Sequence, residues 1–254
     1  MVCMNDLVRI GSETAKGGFA NEDKIVKKFN NWKKDEEAKK WLQIMKYKLK
    51  KIKNVKAIKL HGYKTDVQIK VIVFMGNAIS IQNLSIKKAN DDADYNQVDK
   101  RWVKSYKEMW NIPKGVHKTL MKFTGEKSPS KSNSVKDKRR FFLNEVSKKE
   151  RKDLVNFFRK NKIKIVADLI KGSGKFSADW ILVTKYNKMG NKTTWILKDI
   201  NYAMNVFGNG DVKISPKWSL YIGRITMQRK GGDAGRKTAN MLQFKIKPCD
   251  LFKY

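Results

Sequence analysis

Between Tyr63 and Lys88 the chain reads as two alternating strands joined at Gly76-Asn77, and this pattern narrows its fold more than any other stretch. Val67, Ile69, Val71 and Val73 recur every second residue along the first run. Ile79 and Ile81, then Leu84 and Ile86, mark the second. Period-two alternation predicts strands, and a Gly-Asn pair suits a tight hairpin because glycine takes the positive φ such turns need.

With Gly76 and Asn77 as the loop, Met75 faces Ala78 and opposed residues have numbers summing to 153. Apolar then meets apolar: Val67 with Ile86, Ile69 with Leu84, Ile72 with Ile81 and Phe74 with Ile79. The same register sets Asp66 across from Lys87 and puts Ser85, Asp66 and Gln68 on the face of Lys87. A bulge near Asn83 would instead bring Lys88 to that position.

A carboxylate, a hydroxyl and an ammonium at one end of a hairpin admit two readings. One is an exposed cross-strand Asp–Lys pair of small energetic weight. The other is Mg²⁺-dependent phosphodiester hydrolysis. There a carboxylate holds a hard cation, the cation polarises phosphate and acidifies its water, and a lysine orients the attacking water.

Thr65-Asp66, eighteen residues, then Ser85-Ile86-Lys87 resembles the Ser/Thr-Asp…Gln/Asn-X-Lys variant of the PD-(D/E)-X-K nuclease motif. That variant occurs in HinP-type restriction endonucleases, GCGC-specific relatives of MspI. Further blocks are similar to the HinP type and fall in the same order. They are Gly11 to Lys16, Val55-Lys56-Ala57, Gly62-Tyr63-Lys64, Asn96 to Lys100, Phe123 to Glu126, Lys136 to Arg140, Gln228 to Asp233, Gly235-Arg236 and Thr238 to Lys245. The resemblance implies an α/β fold with a mixed central sheet flanked by helices. It also implies Mg²⁺ as cofactor, double-stranded DNA as substrate, and a cognate DNA methyltransferase in the same cell; a homodimer is an open option. Asp66, Ser85 and Lys87 would be catalytic, and Asp66, Ser85 and Glu22 would be the metal ligands. Ser85 stands where the family carries Gln, Asn or an acid, which leaves the metal count open.

Composition agrees. A formal net charge of +33 in 254 residues points to a polyanionic partner, although a lysine-rich composition also follows from an A+T-rich genome. No apolar run is long enough to span a membrane, so a cytoplasmic protein is expected. Cys3 and Cys249 form no metal or redox motif, and His61 and His117 are too few for a multi-histidine zinc centre.

In chain order, helices are expected from Glu22 to Trp32 and from Glu36 to about Leu49, and a strand from Val55 to Leu60. Glu22 reads either as a metal-side glutamate or as a first-turn acid favoured by the helix dipole. Asn90 to Tyr95 reads as a solvated acidic turn. A helix is expected from about Gln97 to Trp110, and a shorter one from Val116 to Phe123. By resemblance Tyr95 would stack on or wedge between bases, while Gln97 and Lys100, one helical turn apart, would meet base edges. Ser147 and Glu150 form a capping box for a helix to about Lys160, and Ile163 to Val166 reads as a strand. Later strands are expected at Trp180–Tyr186, Thr193–Leu197, Asp211–Ser215, Trp218–Met227 and Met241–Ile246, with a helix near Ile200 to Phe207. In the glycine-rich stretch Gln228 to Asn240 and the strand after it, Arg229, Arg236, Asn240 and Gln243 are candidate base readers. A loop that touches only phosphates is the alternative.

One domain over residues 1–254 is expected, with a catalytic half (about 1–125) and a DNA-contacting half (about 136–254). Two rival functions remain: a non-catalytic basic nucleic-acid-binding protein and a structure-specific DNA repair nuclease.

Overall fold

The computed structural model describes residues 4–60, 68–76, 78–130, 135–187, 192–232 and 236–254, with 4–15 and 68–71 in backbone only. Two compact units interleave along the chain. One comprises Arg9–Asn96, Ile170–Met204 and Pro248–Tyr254; the other comprises Met1–Val8, Gln97–Leu169 and Asn205–Lys247.

The first unit is built on a five-stranded mixed sheet. Its strands are β1 (Asn54–Lys59), β2 (Gln68–Met75), β3 (Ala78–Ala89), β5 (Trp180–Asn187) and β6 (Lys192–Asp199), in the order β1-β2-β3-β5-β6. Only β3 and β5 run parallel; the other neighbours are antiparallel. The expected hairpin register is observed from Gln68↔Ser85 to Met75↔Ala78, with no bulge at Asn83. Asn83 has little freedom to slip. Its N–H donates to Asp179 Oδ2 at 2.7 Å, its carbonyl accepts from Asp179 N at 2.8 Å, and its side chain donates to Ser177 O at 2.9 Å.

Helices α1 (Met4–Asn30) and α2 (Glu36–Ile44) cover one face of this sheet. Ile25, Phe29, Trp32, Trp41 and Leu42 pack with Val55, Val73, Leu84, Ile86 and Leu182. The spacing of Ile25, Phe29 and Trp32 is that of one helical stripe. Trp41 lies at the centre of this core, 5.2 Å from the Phe29 ring and 5.6 Å from that of Trp195. The other face of β5 is also covered, since Ile181 and Val183 are as buried as Leu182. The turn Pro248–Phe252 packs on β3, β5 and β6.

In the second unit the sheet order is β4-β10-β9-β8-β7: β4 (Asn96–Arg101), β10 (Leu242–Ile246), β9 (Ile225–Arg229), β8 (Leu220–Ile222) and β7 (Val212–Ile214). Its helices are α3 (Val103–Trp110), α4 (Lys114–Thr124), α5 (Lys148–Lys160) and α6 (Lys162–Ile170); α7 (Ile200–Gly208) is divided between the units. Aromatic rings fill its core. Tyr106 stacks on Trp110 at 4.8 Å, and Phe244 meets both edge-on. The Ser147–Glu150 capping box begins α5 as expected.

Five expectations fail, each for a physical reason. The first helix begins at Met4, so Glu22 sits mid-helix and gains nothing from the N-terminal dipole. The second helix stops at Ile44, because Lys46 takes a positive φ of 67°. Asn96 to Arg101 is a strand, not the start of a helix. Its Asp99 is buried and accepts a 2.6 Å hydrogen bond from Tyr106 and one from the Arg101 guanidinium. Tertiary pairing has overridden a weak helical preference. Residues 163–166 belong to a helix: Ile165, Val166, Leu169 and Ile170 are buried at helical spacing while Ile163 is 88% exposed. The long strand expected from Trp218 is also divided, into β8 and β9 by Gly223. A Cβ on Gly223 would lie 2.6 Å from Gly208 O.

Asp35 starts α2, accepting the Ala38 N–H and pairing with Lys28 at 2.9 Å. Burial works against its charge, but these donors prevail and hold the carboxyl below its usual range. A depressed folded-state pKa contributes stability above the unfolded value, and this is lost as pH falls through the folded value. Asp35→Ala should therefore cost about 1 kcal/mol near neutral pH. In urea titrations its deficit should shrink between about pH 5 and pH 2.

Candidate active site and nucleic-acid interface

Strand β3 carries the core of the candidate site. Ser85 and Lys87 alternate with Leu84 and Ile86, and the latter two point into the core under α1 and α2. Ser85 and Lys87 thus occupy the opposite face, 8% and 6% exposed. Along β5 their paired positions are Ile181 and Val183, and on β2 Ser85 pairs with Gln68. Asp66 and His61 lie outside the described residues, as does the loop residue Asn77. Gln68 is placed by its backbone alone.

Glu22 lies on α1, the helix that covers the sheet face opposite that of Ser85 and Lys87. It is 6% exposed, and its carboxylate lies 3.3 Å from Lys59 Nζ. Lys59 shares its face of β1 with the core residues Val55 and Ala57, the face covered by α1. Next to Glu22 on the helix, Asn21 accepts from Thr184 Oγ1 at 3.1 Å. Thr184 pairs with Lys88, again on the helix-covered face. Among the described residues no three His, Cys, Asp or Glu side chains gather as a metal centre.

In the acidic turn Asp94 Oδ2 accepts the Asn90 and Asp91 N–H groups, and Asp92 pairs with Lys185. Its carboxylates thus bond the turn's own backbone and Lys185 on β5. Tyr95 follows, 37% exposed. Gln97 and Lys100 lie on β4, where an odd separation puts them on opposite faces of the strand rather than one turn apart on a helix.

The four C-terminal candidates separate into exposed and engaged residues. Arg236 is exposed. Arg229 donates from Nε to Thr124 O at 2.8 Å and from Nη2 to Asn240 Oδ1 at 2.6 Å. Asn240 Nδ2 in turn donates to Gly125 O at 3.2 Å. Arg229 and Asn240 therefore cap the C-terminus of α4, where carbonyls lack helical partners and a cation is favoured. Gly125 sits there with φ 87°, and a Cβ would come within 2.4 Å of Arg139 O. Burial, reinforced by repulsion from Arg139, lowers the Arg229 pKa from its ordinary value. Gln243 is 4% exposed and its amide reaches Arg229 O and Lys230 O at 3.4 and 3.5 Å. These three side chains hold the base of the glycine-rich loop.

Sequence reasoning passed over Arg139 and Arg140 as individual candidates. Both pair with Asp137, at 2.9 and 3.6 Å, and Arg140 lies 4.1 Å over the Phe142 ring. The Arg139 side chain is 74% exposed and available to a polyanion. The signal for it was the Lys136–Arg140 block itself.

The family model described as R.HinP1I restriction endonuclease matches residues 45–252. A comparison with curated proteins gives no match. Among solved structures, restriction endonuclease MspI in complex with its cognate DNA has a similar fold, with a TM-score of 0.60 and 12% identity. The likeness covers 89% of this chain and 87% of that one.

Removing one member of the α4 cap leaves buried partners without a bond. Asn240→Ala should destabilise the protein by about 1–3 kcal/mol in chemical unfolding.

Proposed function

Because the chain belongs to the R.HinP1I restriction endonuclease family, we propose that it hydrolyses double-stranded DNA at a short specific sequence using Mg²⁺. Following the HinP resemblance, the target is GCGC cut after the first G, leaving a CG overhang at the 5′ end. The observation that carries this reading is the unbroken β2–β3 pairing down to Gln68↔Ser85. Continued by two residues, that register sets Asp66 across from Lys87.

The donor set suits magnesium. A carboxylate, a hydroxyl and a neighbouring amide are hard oxygen donors, and Mg²⁺ is commonly held by one or two carboxylates with water and phosphate completing its shell. Asp66 would hold the ion and Ser85 would support it or a water beside it, with Gln68 as a supplement. Glu22, paired with Lys59, is left out of this set. When bound, the ion supplies Lewis acidity toward the phosphate and lowers the pKa of coordinated water. The Lys87 ammonium orients the attacking water and offsets the charge that gathers on the phosphate oxygens. Burial of Ser85 and Lys87 strengthens such electrostatic contacts by excluding water.

Strong positive charge favours DNA approach with a steep salt dependence. Tyr95, Gln97, Lys100 and Arg236 are proposed to touch DNA directly, and Arg229, Asn240 and Gln243 to hold the loop that carries Arg236. A cognate methyltransferase in the same cytoplasm would protect host sites.

Plasmid incubated with the protein and Mg²⁺ should give fragments whose sequenced ends all fall within GCGC, and EDTA should prevent cutting. Intact plasmid would support a binding protein without catalysis, and heterogeneous ends a structure-specific nuclease. Asp66→Ala and Lys87→Ala should each slow cutting by at least about 10²–10³-fold. Salt-dependent DNA binding should be largely retained in both variants.

A further inference from the structure

Within the second unit, α5 and the β7–β8 hairpin enclose a shallow groove of about 640 Å³. Its lining includes Arg151, Lys152, Val155, Arg159, Pro216 and Trp218. None of these residues has a part in the cleavage chemistry proposed above. We propose that this groove is a platform for an unpaired nucleobase of single-stranded DNA, with Trp218 as the stacking face and the α5 cations as phosphate partners.

The first support is the backbone of Trp218. Ser215 N–H donates to Ser219 O at 2.8 Å, closing a loop of Pro216, Lys217 and Trp218. Trp218 N–H returns to Ser215 O at 2.9 Å. This is a turn led by proline and followed by a left-handed residue, an arrangement in which the last position strongly favours glycine. Here it is tryptophan, with φ 62°. A side chain in that conformation is strained. Trp218 nevertheless stays 38% exposed, so burial offsets only part of the strain. A bulky ring retained at a glycine position and left open to solvent has the character of a contact surface.

The second support is charge placement. The Arg151 guanidinium lies 6.0 Å from the indole. It is fixed there by donating to Leu143 O, Asn144 O and Val146 O at 3.2, 3.0 and 2.7 Å. Lys152 and Arg159 are exposed on the same helix and separated by seven positions, two turns along one side. An aromatic face flanked by cations fits a nucleotide strand, because stacking tolerates any base while the cations follow the backbone. A duplex hides the faces of its bases, which makes the single strand the occupant.

The test uses the full-length protein in EDTA, so its readout requires no cleavage and is independent of the endonuclease reading. Fluorescence anisotropy would compare a labelled oligothymidylate with an abasic strand of equal length and charge. Wild type should prefer the strand with bases. Trp218→Gly should bind that strand about tenfold more weakly, the scale of one base–aromatic stack. Its melting temperature should not fall, since glycine relieves the backbone. Trp218→Phe should keep most of the preference. Lys152→Ala with Arg159→Ala should weaken both strands alike and flatten the salt dependence. An unchanged preference in either Trp218→Gly or an equally weak binding of both strands by wild type would overturn the proposal. A clear loss of thermal stability in Trp218→Gly would also overturn it, by showing the ring to be packing.

Discussion

The pairing of β2 with β3, and its fixation at Asn83, is the constraint on which the rest of the first unit depends. Sheet side chains alternate, so a slip of one residue on β3 would exchange Ser85 and Lys87 for Leu84, Ile86 and Lys88. Two separate forces oppose that slip. Leu84 and Ile86 are buried under α1 and α2, where a charged replacement would be costly. Asp179 bonds both the N–H and the carbonyl of Asn83, tying β3 to the start of its parallel neighbour. The side chain of Trp180 adds a 2.7 Å bond to Gln82 one residue earlier. Hydrophobic burial selects the face, and hydrogen bonding fixes the register.

The second unit shows a different use of polar groups. Arg229 and Asn240 are chemically equipped to read bases, yet both are spent on the open carbonyls at the end of α4. The geometry there leaves little alternative, because Gly125 brings the helix end against Arg139 with no room for a side chain. Under the proposed function, anchoring of this kind lowers the ordering cost of a DNA contact by Arg236. Arg229 and Asn240, which the sequence suggested as direct readers, are here structural ties at the end of α4.

Much of this was legible in the chain itself, and the failures are instructive. The hairpin register followed from two constraints that had to agree, the turn dipeptide and the apolar pairs, and it was recovered residue for residue from Gln68 to Ser85. The capping box at Ser147 was equally local and equally readable. Asn96 to Arg101 was misread because its partner, β10, lies far away in the sequence, and nothing local announces a buried Asp99–Tyr106 bond. Residues 163–166 were misread because β-branched residues suit either element, and only the burial of Leu169 and Ile170 settles the helix. Glu22 illustrates a limit of a different kind. Its chemistry suits a metal ligand, and the sheet face that its helix covers is a tertiary fact that no local pattern announces. Trp218 was expected to open a strand, and its positive φ places it instead in the β7–β8 turn.

The central claim is that the register continues past Gln68, so that the residue at position 66 opposes the one at position 87. Disulfide formation measures this directly, because bridged residues need Cα atoms within about 7 Å and Cβ atoms on the same face of the sheet. A protein carrying Asp66→Cys with Lys87→Cys should oxidise to an intramolecular disulfide, detected by mass spectrometry, while Asp66→Cys with Lys88→Cys should not. Rapid bridging in the second pair and none in the first would contradict the account.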